Sequence, residues 1–191
     1  MKRLFLPIAV CMISAGTIGS ANPCIGGPYV PSAAPHLAPG SVPSDQLAEH
    51  LHSWDYSHGI QFDISLVGEQ LRVDIIDFPG ETRLVAGLFA ILQISRLVEE
   101  DFGMLVLMDE GRGRFAFRGS EARTQGCRTL WGVDTTGTAI PMFIDIMRNV
   151  VDSDSQRITP AYTGYFLADI NRALDTFNQV IAPEWIYSSV R

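Results

Sequence analysis

The chain has 191 residues, 47% of them hydrophobic and 18% charged, with a formal net charge of −7. That is enough apolar sequence for one domain with a single core, and it excludes wholesale disorder. The acidic balance argues against nucleic acid and anionic membrane surfaces as general partners.

The N-terminus reads as a secretory signal peptide over residues 1–21. Lys2 and Arg3 make a short positive start, Leu4 to Ile18 is almost wholly apolar, and Gly19-Ser20-Ala21 offers small residues for cleavage. The apolar run is short for a membrane anchor, and neither Cys11 nor Cys24 follows the small residue that a lipid-modified cysteine usually follows. The expectation is a periplasmic or secreted protein with no stable membrane span after cleavage. Loss of Lys2 and Arg3 leaves 12 basic residues against 21 acids, a net charge of −9. Lys2 is the only lysine, so every basic contact of the mature chain is a guanidinium contact.

Cys24 and Cys127 remain once Cys11 leaves with the signal. An even pair in an exported chain reads as a disulfide. The rival is a free nucleophile at Cys127, beside Arg128, which would lower its pKa.

Residues 22–43, with prolines at 23, 28, 31, 35, 39 and 43, read as an extended tether or a loop laid over the body. Residues 44–191 then form one α+β domain. Ser44 caps a short helix whose Leu47, Leu51 and Trp54 fall three or four apart. His50, His52 and His58 lie in or just after it, with Glu49 and Asp55 close by. Three histidines raise the question of a metal. Positions 50 and 52 fall on different faces of a helix, so the expectation is a solvated helix end and no metal.

Ile60 to Leu66 and Leu71 to Ile75 alternate apolar and polar residues, and Gly68-Glu69 between them favours a type II′ turn. Pairing Val67 with Gln70 sets Leu66 opposite Leu71, Ile64 opposite Val73 and Phe62 opposite Ile75. Apolar meets apolar throughout. The same register opposes Asp63 and Asp74 on the polar face, where solvent, a cation or Arg72 must offset them. Asp77 next precedes Pro79, which suits a first helical turn, and Glu81 would sit in that turn. Leu84 to Leu92 is apolar nearly all round, so it reads as a helix buried on more than one side and as pure core, with Val98 continuing the stripe and Gly103 ending it. Asp74, Asp77 and Glu81 are the candidate catalytic carboxylates, since a crowded carboxylate pair splits its pKa values.

Met104 to Met108 is a continuous apolar run, hence an inner strand. The loop Asp109–Gly113 leads to Arg114–Arg118, a second hairpin. Residues 119–138 are the least regular part of the body. Arg118, Arg123 and Arg128 stand there among glycines, with Arg112 and Arg114 just before. Such an arginine-rich loop can grip a carboxylate or phosphate in bidentate fashion. No phosphate-loop lysine, dinucleotide glycine fingerprint or nucleophile elbow is present, so no cofactor is expected. Thr138–Val151 reads as an apolar helix with Pro141 in its first turn. Thr159-Pro160 reads as the start of a last helix, which Pro183 ends. Trp185, Ile186 and Tyr187 then fold back as a lid.

The whole predicts an α+β fold: a mostly antiparallel sheet of four strands in two hairpins, packed by the long buried helix, with two C-terminal helices. The order of elements is similar to that of small acidic secretion chaperones, a likeness of fold alone. The arginine-rich loop, with no coherent catalytic set beside it, points to an exported, non-catalytic binding module, chaperone- or adaptor-like, engaging another envelope protein or an anionic ligand through the arginines. The alternative is a hydrolase of a cell-envelope glycan using Asp74, Asp77 and Glu81.

Overall fold

The computed structural model describes Cys24 and residues 38–54, 57–132 and 139–189. The expected signal peptide and most of the tether lie outside the described residues, as does Asp55. A 3-10 turn, Ser44–Gln46, runs into helix α1, Leu47–Ser53. Strands β1 (Gln61–Val67) and β2 (Gln70–Asp77) follow, then helix α2 (Val85–Leu97). Strands β3 (Met104–Asp109) and β4 (Arg112–Arg118) lead into helices α3 (Gly119–Gly132) and α4 (Ala139–Asn149). A two-residue strand β5 (Val151–Asp152) and helix α5 (Phe166–Thr176) follow, and α5 continues as a π-helical segment, Phe177–Ile186, and a last 3-10 turn, Tyr187–Ser189.

The fold is α+β, with five strands in the order β1-β2-β3-β4-β5. The β1–β2 register matches the alternation of the sequence: Leu66 faces Leu71, Ile64 faces Val73, Phe62 faces Ile75 and Asp63 faces Asp74. Gly68 has φ +60° at the first turn position, which a side chain would strain. The sheet is mixed where a mostly antiparallel one was expected, because β2 and β3 pair in parallel. The cause is connectivity: α2 carries the chain back across the sheet before β3 starts, and a crossover of that length makes a parallel neighbour. The rows then run across four strands. Leu66, Leu71, Leu105 and Phe117 form one, and Ile64, Val73, Leu107 and Phe115 the next. They face the helices in one core with Leu47 and Leu51 of α1, Leu88 and Ile91 of α2, and Met147 of α4.

Several element boundaries differ from the periodicity, each for a local reason. Pro79 does not start α2. Its carbonyl accepts from the Thr82 N–H (2.9 Å) in a turn, and the Thr82 hydroxyl donates to the His58 carbonyl (3.0 Å). The helix therefore begins six residues on, and Glu81 stays outside it. At the other end Val98 leaves the helix to pair with Val42. The Gly40 N–H donates to the Arg96 carbonyl, and the N–H groups of Ser41 and Val42 to that of Leu97, at 2.9–3.0 Å. The end of the expected tether thus closes the helix C-terminus, whose carbonyls need partners. Ser44 is not an N-cap: its N–H and hydroxyl donate to the Glu100 carboxylate at 3.0–3.2 Å.

The 109–113 loop is tighter than expected. Glu110 and Gly111 form a two-residue turn with φ +48° and +76°, and Arg114 stands at a bulge where the β3–β4 register shifts. Thr159 caps no helix: its hydroxyl donates to the Met147 carbonyl (2.6 Å). The chain turns again at Gly164 before α5 starts at Phe166. Pro183 does not end the helix but lies within its last, π-helical segment, where it lacks the N–H that other positions can donate. Trp185 and Ile186 are core rather than lid, fully buried beside Gly87 of α2.

Candidate functional site

A concavity with a volume of about 520 Å³ lies between α2, α4 and α5. Leu84, Val85, Leu88, Phe89 and Leu92 form its floor and one wall. They are the three-and-four-spaced face of α2 that turns from the sheet. Ile140, Met142, Phe143 and Ile146 of α4 make the second wall, and Ile170, Leu174, Phe177 and Asn178 the third. Asn178 is the one polar side chain among these. This corrects the reading of Leu84–Leu92 as pure core: Val85 and Phe89 stand open to solvent on the groove. A helix apolar all round meets the sheet on one side only. The other side needs cover that α4 and α5 supply in part.

The arginines do not form a loop. Residues 119–132 are helix α3, which corrects the expected irregular stretch. Arg112 and Arg118 are exposed at opposite ends of β4, about 20 Å apart for six residues of strand. The other three serve the fold. Arg114 clasps the buried Asp109 through Nε and Nη2 at 3.0 and 2.7 Å. Arg123 donates to the Glu100 carbonyl (2.7 Å) and lies over the Phe102 ring. Arg128 bonds Asp145 (3.0 Å) and Gln125 (3.2 Å).

The carboxylates gather more closely than the arginines. Asp63, Asp74, Asp77, Asp109 and Glu110 line a depression of about 320 Å³ on the far face of the sheet. Glu81 is not among its lining residues. Burial pushes the Asp74 carboxyl above its ordinary 3.8, and the charges of Asp109 and Asp63 add to this. N–H groups of Gly111 and Ile75 oppose it. Arg72 does not offset the pair. Its guanidinium is turned to the Gln70 side-chain carbonyl at 3.1–3.3 Å.

His50 and His52 lie on α1, and His58 in the turn before β1 with φ +52°. Among the described residues no three His, Cys, Asp or Glu side chains converge as a metal site. Cys24 and Cys127 form a disulfide, with Cα atoms 5.2 Å apart across 103 residues of sequence. Both are buried, so Cys127 is no free nucleophile. Among the described residues no helix is long and apolar enough to cross a membrane.

No family model, no curated protein and no solved structure matches this chain. The groove is the feature that residue-by-residue reading of the sequence missed. Its signal was present in α2, in the three-and-four-spaced stripe Leu84, Val85, Leu88 and Leu92, which lines the groove together with Phe89.

Proposed function

We propose that this chain is an exported, non-catalytic binding module, chaperone- or adaptor-like, that seats an apolar segment of another envelope protein in the α2–α4–α5 groove. The observation that supports this reading is the groove itself. Its volume falls in the range of ligand sites, roughly 300–1,000 Å³, and its lining is aliphatic and aromatic but for Asn178. Continuous exposed apolar surface of this kind marks interaction sites. The disulfide supports an oxidising compartment, periplasmic or extracellular. Arg114, Arg123 and Arg128 are occupied by Asp109, Glu100 and Asp145, so the arginines do not form an anion grip that would compete with the groove as the binding surface.

A photo-reactive residue at Phe89, in the full chain exported by its cell, tests this. The expected result is one defined protein trapped through an apolar stretch, with little trapped from the exposed position Ser65 on the opposite sheet face. A peptide of that stretch then binds the purified protein, and Phe89→Asp weakens it at least tenfold. Equal trapping from both positions sinks the reading, as does peptide binding that survives Phe89→Asp.

A second reading, glycan hydrolysis, is favoured by the raised Asp74 carboxyl beside Asp77 in one depression. It requires turnover of an envelope glycan by the wild-type chain, lost in Asp74→Asn.

A further inference from the structure

We infer that two copies of this chain close on one another through the groove, each placing Phe166 and Leu167 of its α5 between α2 and α4 of the other. This rests on the groove being a binding surface, and it deepens that reading: the second copy covers the groove until a client displaces it.

The inference starts from α5. Leu167, Ile170 and Leu174 are spaced three and four apart and share one helix face. Ile170 and Leu174 line the groove, while Leu167 lies a turn beyond them. With Tyr165 and Phe166 it makes a projecting apolar end, the three residues being 77%, 53% and 74% exposed. One surface therefore carries a hollow and a knob side by side, both apolar. A two-fold axis needs only such a self-complementary patch, because each copy offers its knob to the other's hollow.

The area is of the right order. Val85, Phe89, Ile140 and Leu174 around the hollow are 38–44% exposed. Taking roughly 150–250 Å² for a whole aromatic side chain, the three aromatics leave about 250–400 Å² open. The four aliphatic residues add about 100–250 Å² at the transfer coefficient of about 25 cal/mol per Å². Together these give about 350–650 Å² per copy, below the roughly 800 Å² per partner of a standard interface and suited to a weak dimer that a client can displace.

Charge sets how the contact responds to salt. Each copy is net acidic, −7 for the whole chain and −9 without the signal peptide, yet among the described residues none that lines the groove is charged. Like net charges repel at long range, and the contact itself offers no ion pair to be screened. Salt therefore strengthens the dimer, the opposite of what an arginine-held acidic partner shows.

Sedimentation equilibrium on the full disulfide-bonded chain tests the inference. The wild type is expected to be dimeric at micromolar concentration and to tighten as salt rises from about 0.01 M to about 0.15 M. Phe166→Asp and Leu167→Asp, both at exposed positions that leave the fold intact, weaken dimerisation at least tenfold. Val67→Asp on exposed β1 leaves it unchanged. A wild type that stays monomeric, or a dimer indifferent to both α5 variants, overturns the proposal. A monomer whose Phe89 position still traps one client segment refutes the dimer and leaves the binding reading standing. A groove-mediated dimer that traps no client supports the dimer and refutes the other.

Discussion

Asp74 stands directly across from Asp63, and burial, helped by the nearby charges of Asp109 and Asp63, holds its carboxyl above 3.8. A carboxyl whose pKa is raised by folding is destabilising where it is ionised. The penalty is complete above the folded pKa and vanishes below the unfolded value near 3.8. Asp74→Asn is therefore expected to stabilise the fold at pH 7, by a few tenths to about 1 kcal/mol once solvent screening is allowed for. The gain fades as pH falls through the folded pKa, and urea melts of both proteins across that range measure it. Glu100 behaves in the opposite sense. Burial raises its pKa, but the N–H donors at Glu100 and Ser44, the Ser44 hydroxyl and the Arg123 charge outweigh burial and hold it below 4.5. Its stabilisation is present above 4.5 and is lost as the carboxyl protonates. The Asp63–Asp74 opposition was legible in the sequence, because a hairpin register follows from the turn and the alternation. The Glu100–Ser44 contact was not, since it joins residues 56 apart that only the packing of α1 brings together.

At the scale of elements, α2 and α3 cross closely. Gly126 sits at the crossing, and a Cβ there would lie 2.5 Å from the Leu92 carbonyl and 2.8 Å from the Ser95 hydroxyl. Both partners belong to a well-formed helix, so neither can yield without distortion. Gly126→Ala is expected to cost at least the roughly 1–3 kcal/mol of an overpacked core, read as a lowered urea midpoint. The same glycine explains why α3 was illegible. Gly119, Gly126 and Gly132 look like loop punctuation, and the arginines between them look like a binding surface. The packing of two helices at close range uses glycine for a reason that no local propensity registers. The hairpins behaved differently. Their pairing partners are adjacent in sequence, so alternation and turn residues suffice to define both strands and register.

At the scale of the molecule, the Cys24–Cys127 bond joins the N-terminal segment to α3, and Gly40–Val42 closes the end of α2. Replacing both cysteines by alanine is expected to lower stability by about 2–5 kcal/mol, measured by guanidinium unfolding of the pair variant against the oxidised wild type. Neither cysteine lines the groove. The variant is thus expected to keep its apolar contacts where it remains folded.

Alternation and turn chemistry determined by themselves that this chain builds two hairpins around an apolar helix, while the pairing of Cys24 with Cys127 was one of two readings that the structure decided. The hairpins depend on neighbours close along the chain. Whether an apolar side chain is covered depends on how many other elements compete for the same helix face. Only the tertiary structure decided that the sheet takes one side of α2. The far side, with Val85 and Phe89, is left as an open groove. A local pattern reports that a face is hydrophobic, and packing in three dimensions decides what meets it.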